Sequence, residues 1–180
     1  MAARTLGLAA VAVALAAAPP ARASEKGWND TGTVAKNALV VAAFGVPAVQ
    51  RDWNGVLQAG GSIGGTILLT QGMKEVFPSR RPDGSDNKSF PSGHTSTSFA
   101  AAATLHNRYG WEAGLPAYLV ASFVGLSRVE ARKHRVGDVL VGAAVGTAVG
   151  HLVTRKANAQ VQLVPWADTK GAGAHLALHF

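Results

Sequence analysis

Three short polar clusters interrupt a chain otherwise rich in Ala, Gly and Val. All three fall between Lys74 and Asp138: KEVFPSRRP at 74–82, SFPSGH at 89–94 and SRVEARKHRVGD at 127–138. The apolar segments around them have helical length and carry small residues that let helices approach closely. This pattern constrains the chain to packed helices whose ends hold the chemistry. Lys74, Arg80, Arg81, Arg128, Arg132, Lys133 and Arg135 share this stretch with His94, His134 and Asp138. Cations aimed inward need an anion, and the anion that engages so many donors at once is phosphate or a close mimic.

Capping and stop signals divide the chain into five helices. Asn29, Asp30 and Thr31 offer N-caps for a first helix reaching about Gln50, with Pro47 in its last turn. Asp52 can cap a second, from Trp53 to about Glu75, which carries Gly60, Gly61, Gly64 and Gly65 and is stopped by Phe77-Pro78. Residues 79–90 read as a polar loop with Asp-Gly turn chemistry. Ser92 is a natural cap for a third helix running to about Arg108, and Gly110 breaks it. A fourth runs from about Trp111 to Ser127, and a fifth from about Gly137 to Arg155 places Gly142, Gly146 and Gly150 on one face. The period then changes. VQLVPW and GAHLALHF alternate like strands, which predicts a terminal β-hairpin whose His175 and His179 read as exposed strand residues. The expected fold is all-α, a compact bundle of about five core helices, divided as signal peptide 1–23, helical domain 24–156 and hairpin extension 157–180.

At 180 residues with 48% hydrophobic and 15% charged content, the chain has room for one domain with a core and lies outside the disordered class. Its start, with Arg4, an apolar run from Leu6 to Ala18 and then Ala21-Arg22-Ala23, reads as an export signal cleaved after Ala23. Loss of Arg4 and Arg22 would lower the net charge from +7 to +5, so the basic balance belongs to the mature domain. There is no run of five like charges and no aromatic interleaving, which argues against nucleic acid as a partner and for an anionic substrate or lipid surface. The absence of cysteine excludes disulfides and thiolate metal sites. Uncharged runs at 37–50, 113–127 and 139–153 fall short of the roughly 20 residues a spanning helix needs, while 53–73 is long enough but rich in Gly and amides. The glycine spacing pulls the other way. The expected location is therefore periplasmic, soluble or associated with the membrane.

His134 and Asp138 stand four residues apart, close enough for contact across one helical turn. A carboxylate that accepts from one imidazole nitrogen leaves the other as an outward lone pair, a positioned nucleophile or base. An isolated HxxxD is also compatible with a surface His and a capping acid. A metal site is disfavoured by Arg128, Arg132, Lys133 and Arg135 around it. His94 follows Pro91-Ser92-Gly93 in the first turn of a helix, where free N–H groups favour an oxyanion beside an imidazole able to protonate a leaving oxygen. Arg80, Arg132, Lys133 and Arg135 read as solvated loop charges, and His106, His151, Trp28, Trp53, Trp111 and Trp166 as packing residues.

Taken together, Lys74, six residues, Arg81-Pro82; Pro91-Ser92-Gly93-His94; and Ser127-Arg128, five residues, His134, three residues, Asp138 resemble the three-part signature of the type 2 phosphatidic acid phosphatase family. That family shares its core with bacterial non-specific acid phosphatases and vanadium haloperoxidases. The resemblance implies that Lys74, Arg81 and Arg128 clamp phosphate oxygens and that Ser92 and Gly93 add donors. It also implies that His134 attacks phosphorus, Asp138 orients His134, and His94 protonates the leaving alcohol and then activates water. No metal or other cofactor is required. Two features depart from the family's pattern: only eight residues, 83–90, link Arg81-Pro82 to the PSGH turn, and VEARK before His134 is unusually charged. The function implied is an exported phosphatase acting on phosphomonoesters or on lipid phosphates and diphosphates through a phosphohistidine. The alternatives are a vanadate-dependent haloperoxidase and a non-catalytic phosphate- or lipid-binding protein. The expected partners are a phosphorylated small molecule or lipid phosphate and a membrane surface, with the oligomeric state not readable from the residues.

Overall fold

The computed structural model describes residues 24–155, 161–168 and 171–178, the last two spans by their backbone. The signal expected at 1–23 lies outside the described residues. Among the described residues five helices follow one another: α1 (Glu25–Val49), α2 (Trp53–Val76), α3 (Gly93–Tyr109), α4 (Trp111–Glu130) and α5 (Val136–Val153). The expected caps at Asp52 and Ser92 are in place, with the Asp52 carboxylate accepting from the Gly55 N–H at 3.0 Å. Helix α1 starts earlier than Asn29 because the Ser24 hydroxyl caps it, accepting from Gly27 at 3.1 Å. Gly110, at φ 81, supplies the left-handed residue that turns α3 into α4.

Helix α3 lies at the centre and meets all four other helices. Its Ala100, Ala101, Ala102 and Ala103 are fully buried, because only a methyl fits between so many neighbours. Helix α5 lies directly on its backbone. A β-carbon added at Gly142 would stand 2.7 Å from the Ser92 carbonyl oxygen, and one at Gly146 would strike the Ser96 carbonyl. The glycine stripe therefore fixes the level at which the start of α5, with Asp138, meets the start of α3. At the far end, Asp52 pairs with the buried Arg108 and accepts from Tyr109, while Gln58 receives Arg108 and the Arg155 N–H. A charge that is buried, paired and hydrogen-bonded in this way holds the ends of α2, α3 and α5 together.

Helix α2 buries a polar stripe, Gln58, Ser62, Thr66, Thr70 and Lys74, each four residues from the next, beside the apolar Ala59 and Ile63, whereas Leu57, Ile67, Leu68 and Leu69 are exposed. Val34, Val41, Leu119, Leu140 and Leu152 on the other helices are exposed as well. By length and composition α1 (25 residues) and α5 (18 residues) are long and apolar enough to cross a membrane.

The helices alone define this fold. The hairpin expected over 157–180 traces two antiparallel segments, Val161–Asp168 and Gly171–Leu178, but the bundle does not support it as part of the fold. Period-two alternation records a pattern, and a lone pair of strands has too little surface to specify itself.

Candidate active site

The three polar clusters converge at one end of the bundle. Lys74 ends α2, the PSGH turn opens α3, Arg128 ends α4, and the tight turn 131–135 leads into α5. Arg132 takes a left-handed φ of 53 in this turn, and the Arg128 carbonyl accepts the N–H groups of both Lys133 and His134 at 3.1 Å. The turn presents His134 to the PSGH segment. Asp138 fixes the level from the other side, its carbonyl accepting the Ser92 N–H at 2.9 Å.

His134 and Asp138 are brought together, though not through the hydrogen bond their spacing suggests. His134 Nδ1 is 3.9 Å from Asp138 Oδ2 but only 2.7 Å from the carbonyl oxygen of Ser89. A carbonyl can only accept, so Nδ1 carries the hydrogen and Nε2 keeps the lone pair. Asp138 Oδ2 instead accepts from the Ser89 hydroxyl at 2.5 Å and from the Arg135 N–H at 2.9 Å. Burial, then the charges of Arg81 and Lys74, push the His134 imidazole down to about 4, against weaker opposing contributions from the Ser89 carbonyl and Asp138. The neutral imidazole, with its lone pair on Nε2, is thereby favoured.

A cavity of about 310 Å³ lies in front of His134, lined by Lys74, Arg81, Gly93, His94 and His134 and, further along, by Lys36, Ile67 and Gln71. Five of the eight expected site residues thus share one cavity. The other three, Ser92, Arg128 and Asp138, are buried just behind it. Ser92 is wholly committed to the turn: its hydroxyl caps Thr95 and its N–H goes to Asp138, so the helix-start donors left for an anion are those of Gly93 and His94. The Lys74 ammonium spans the carbonyls of Lys88 (2.7 Å) and Pro91 (2.6 Å), tying the loop to the turn while keeping its charge unpaired. Arg81 is aligned by Asp86 at 2.6 Å. Arg128 is held by Asn29, to its side-chain oxygen at 3.1 Å and its carbonyl at 2.7 Å.

Several partners escape the sequence reading. Asn29, Thr33 and Lys36 lie at i, i+4 and i+7 on α1 and all meet the site, Thr33 Oγ1 standing 3.3 Å from His94 Nε2. That spacing was the available signal. Lys133 and Arg135 are more than solvated charges: Lys133 pairs with Asp83 at 2.5 Å, and Arg135 donates to the Arg80 carbonyl at 2.8 Å. Both bind loop 79–90, which carries Arg81, to the turn that carries His134. Arg132, with Glu25 at 3.7 Å and largely exposed, fits the solvated reading. Among the described residues no three His, Asp or Glu side chains are grouped to hold a metal ion.

The site is thus a cation-lined cavity of about 310 Å³ at one end of a helical bundle, with two histidines in its wall. The profile of the PAP2 superfamily matches residues 55–162, and the chain belongs to that family. Among curated relatives it is 38% identical to a lipid A 1-phosphatase of Porphyromonas gingivalis over 63% of this chain and 26% of that protein. It is 29% identical to a lipid A 4'-phosphatase of Helicobacter pylori over 62% of each. It is 30% identical to a decaprenylphosphoryl-5-phosphoribose phosphatase of Mycobacterium tuberculosis over 81% of this chain and 86% of that one. The chain thus spans 26% and 62% of the first two relatives. Among solved structures, Aquifex aeolicus LpxE shares the fold (TM-score 0.63, 21% identity, 83% of this chain and 94% of that one). The transmembrane PAP2-type phosphatidylglycerolphosphate phosphatase from Bacillus subtilis aligns with TM-score 0.55 and 25% identity over 84% of each chain.

Proposed function

We propose that this chain is a membrane-embedded phosphatase that removes phosphate from lipid phosphates through a phosphohistidine at His134, without a divalent metal. The observation that carries the reading is the carbonyl of Ser89 at His134 Nδ1, which leaves a neutral Nε2 lone pair at a cavity lined by Lys74, Arg81 and His94. Phosphate oxygens meet Lys74, Arg81 and the N–H groups of Gly93 and His94, with the buried charge of Arg128 behind them. Charge spreads over these oxygens in the transition state, where fixed cations and oriented N–H groups stabilise it. The Nε2 lone pair forms a P–N bond as the P–O bond breaks. The electron pair stays on the leaving oxygen, which takes a proton from His94 in its imidazolium form, the form that the bound phosphate anion stabilises. His94 then removes a proton from water, water displaces His134 from phosphorus, and inorganic phosphate leaves.

A lipid substrate is supported by α1 and α5, long and apolar enough to cross a membrane, and by the Leu and Val side chains exposed over the bundle, which suit a hydrocarbon surround. The relatives act, by their names, on lipid A and a decaprenyl phosphosugar. We place the site end on the exported side of the membrane, as the signal expected at 1–23 implies; of the expected locations, soluble or associated with the membrane, this takes the second.

The test is rapid quenching with a lipid phosphate labelled at phosphorus. An acid-labile, base-stable adduct should map to the peptide containing His134 and disappear in His134→Ala, and turnover should persist in excess EDTA. Label on Ser92 or Ser127, single inversion at phosphorus, or loss of activity restored by a divalent ion overturns the mechanism. Halide oxidation by the vanadate-loaded protein in place of phosphate release would move it to the haloperoxidases.

A further inference from the structure

Lys36 has no role in the phosphate clamp, and among the described residues nothing neutralises it. It lies half-buried on α1, lines the same cavity as His94 and His134, and among the described residues joins no ion pair or side-chain hydrogen bond. Its charge reaches the His94 imidazole. Unlike Lys36, the other cations at the site each have hydrogen-bond partners: Arg81 has Asp86, Lys74 two carbonyls and Arg128 the Asn29 oxygens.

The order along α1 says what Lys36 faces. Asn29 holds Arg128 at the clamp, Thr33 one turn on touches the acid His94, and Lys36 comes next on the same face. A helix rises about 1.5 Å per residue, so Lys36 sits about 4–5 Å beyond the level of Thr33. His94 serves the bridging oxygen between the scissile phosphorus and the rest of the substrate. Whatever lies beyond that oxygen is therefore next to Lys36. The cavity is also lined by Gln71 and Ile67, one and two turns from Lys74 on α2, and Ile67 adjoins the exposed Leu68 and Leu69, so the lining reaches the apolar exterior. A lone cation partway along a route to a hydrocarbon surround is costly unless it has an anion.

We propose that Lys36 is a second anion subsite, which binds a phosphoryl group on the leaving-group side of the scissile bond and so favours lipid diphosphates over monophosphates of the same tail. This rests on the phosphatase reading above. In such a substrate the terminal phosphorus goes to His134, and the bridging P–O bond breaks with its electrons left on a departing lipid monophosphate. Lys36 stabilises that charge, so the bridging oxygen depends less on the His94 proton. Water then releases the terminal phosphate from His134 as before.

The test compares farnesyl diphosphate with farnesyl monophosphate in wild type, Lys36→Met and Lys36→Arg. Lys36→Met should lower kcat/KM for the diphosphate about tenfold more than for the monophosphate, the size expected for one hydrogen bond to a charged group, and Lys36→Arg should restore most of the ratio. The penalty of His94→Ala should be smaller on the diphosphate than on the monophosphate, because a phosphate leaving oxygen needs little protonation, and Lys36→Met should enlarge the diphosphate penalty so that the gap narrows. Monophosphate turnover by Lys36→Met reports that the variant is folded; if that turnover is lost, the Arg variant and the wild-type His94→Ala comparison decide. An unchanged diphosphate-to-monophosphate ratio, or a His94→Ala penalty independent of Lys36, overturns the subsite. Failure of the phosphatase reading looks different: wild type then releases phosphate from neither substrate, and the subsite falls with it.

Discussion

His134 Nδ1 lies 2.7 Å from the carbonyl oxygen of Ser89. The tautomer of His134, the proposed nucleophile, is therefore set by a backbone group that no substitution removes. Asp138, at 3.9 Å from the same nitrogen, acts through its charge. At that distance a carboxylate steadies a developing imidazolium by a few kcal/mol at the effective dielectric of a protein site.

Asp138→Asn should accordingly lower kcat by about 10²-fold, less than the about 10⁴-fold loss expected where a carboxylate alone selects the tautomer. Nitrogen chemical shifts should still report Nδ1–H in the variant. Ser89→Ala, which removes only the hydroxyl that donates to Asp138, should cost less than Asp138→Asn. A 10⁴-fold loss together with a switched tautomer in Asp138→Asn would return the orienting role to the carboxylate.

The second prediction concerns pH. Burial and then Arg81 hold His134 down to about 4, so Nε2 should keep its lone pair through neutral pH and lose it only as pH falls through about 4. The imidazole in the unfolded chain protonates nearer 6.5, so between about 6.5 and 4 the unfolded state takes up a proton that the folded state refuses, and stability declines across that window. Histidine NMR should show this titration near 4, and Arg81→Gln should move it upward because a repelling charge is gone. A wild-type value near 6.5, or no change in Arg81→Gln, contradicts this account.

Legibility follows the range of the interaction. The caps at Asp52 and Ser92 and the stop at Phe77-Pro78 are readable because each depends on a few neighbouring residues. The stripe Gly142, Gly146 and Gly150 announces a close helix contact without saying that the partner is the backbone of α3. Asn29 reads as an N-cap, but tertiary structure takes its oxygens for Arg128, and Ser24 caps α1 instead. The motif spacing brings out His94, His134 and Asp138. Ser89, Asp83 and Lys133 stay hidden because their partners are 45 to 50 residues away, across a turn whose path the spacing does not encode.

The last prediction concerns loop 79–90, whose short length leaves Arg81 dependent on outside support. The Asp83 N–H donates to the Arg132 carbonyl at 3.0 Å, and Lys133 Nζ stands 2.5 Å from Asp83 Oδ2. The side chains are 33% and 16% exposed, so the ion pair is worth about 0.5–1 kcal/mol, and its loss should loosen Arg81 without touching either histidine. Lys133→Met should then raise KM about two- to fivefold with kcat nearly unchanged. Salt should draw the wild type toward the variant, since screening weakens the same pair. The hydrogen bond from Lys133 holds the Asp83 carboxyl well below its usual 3.8, so the contribution is full above that value and lost only as pH falls through the lower folded one. Asp83→Asn combined with Lys133→Met should be no worse than the more damaging single variant, because either change alone breaks the pair. If the effects multiply, or if kcat falls while KM stays fixed, the loop is not latched through this pair.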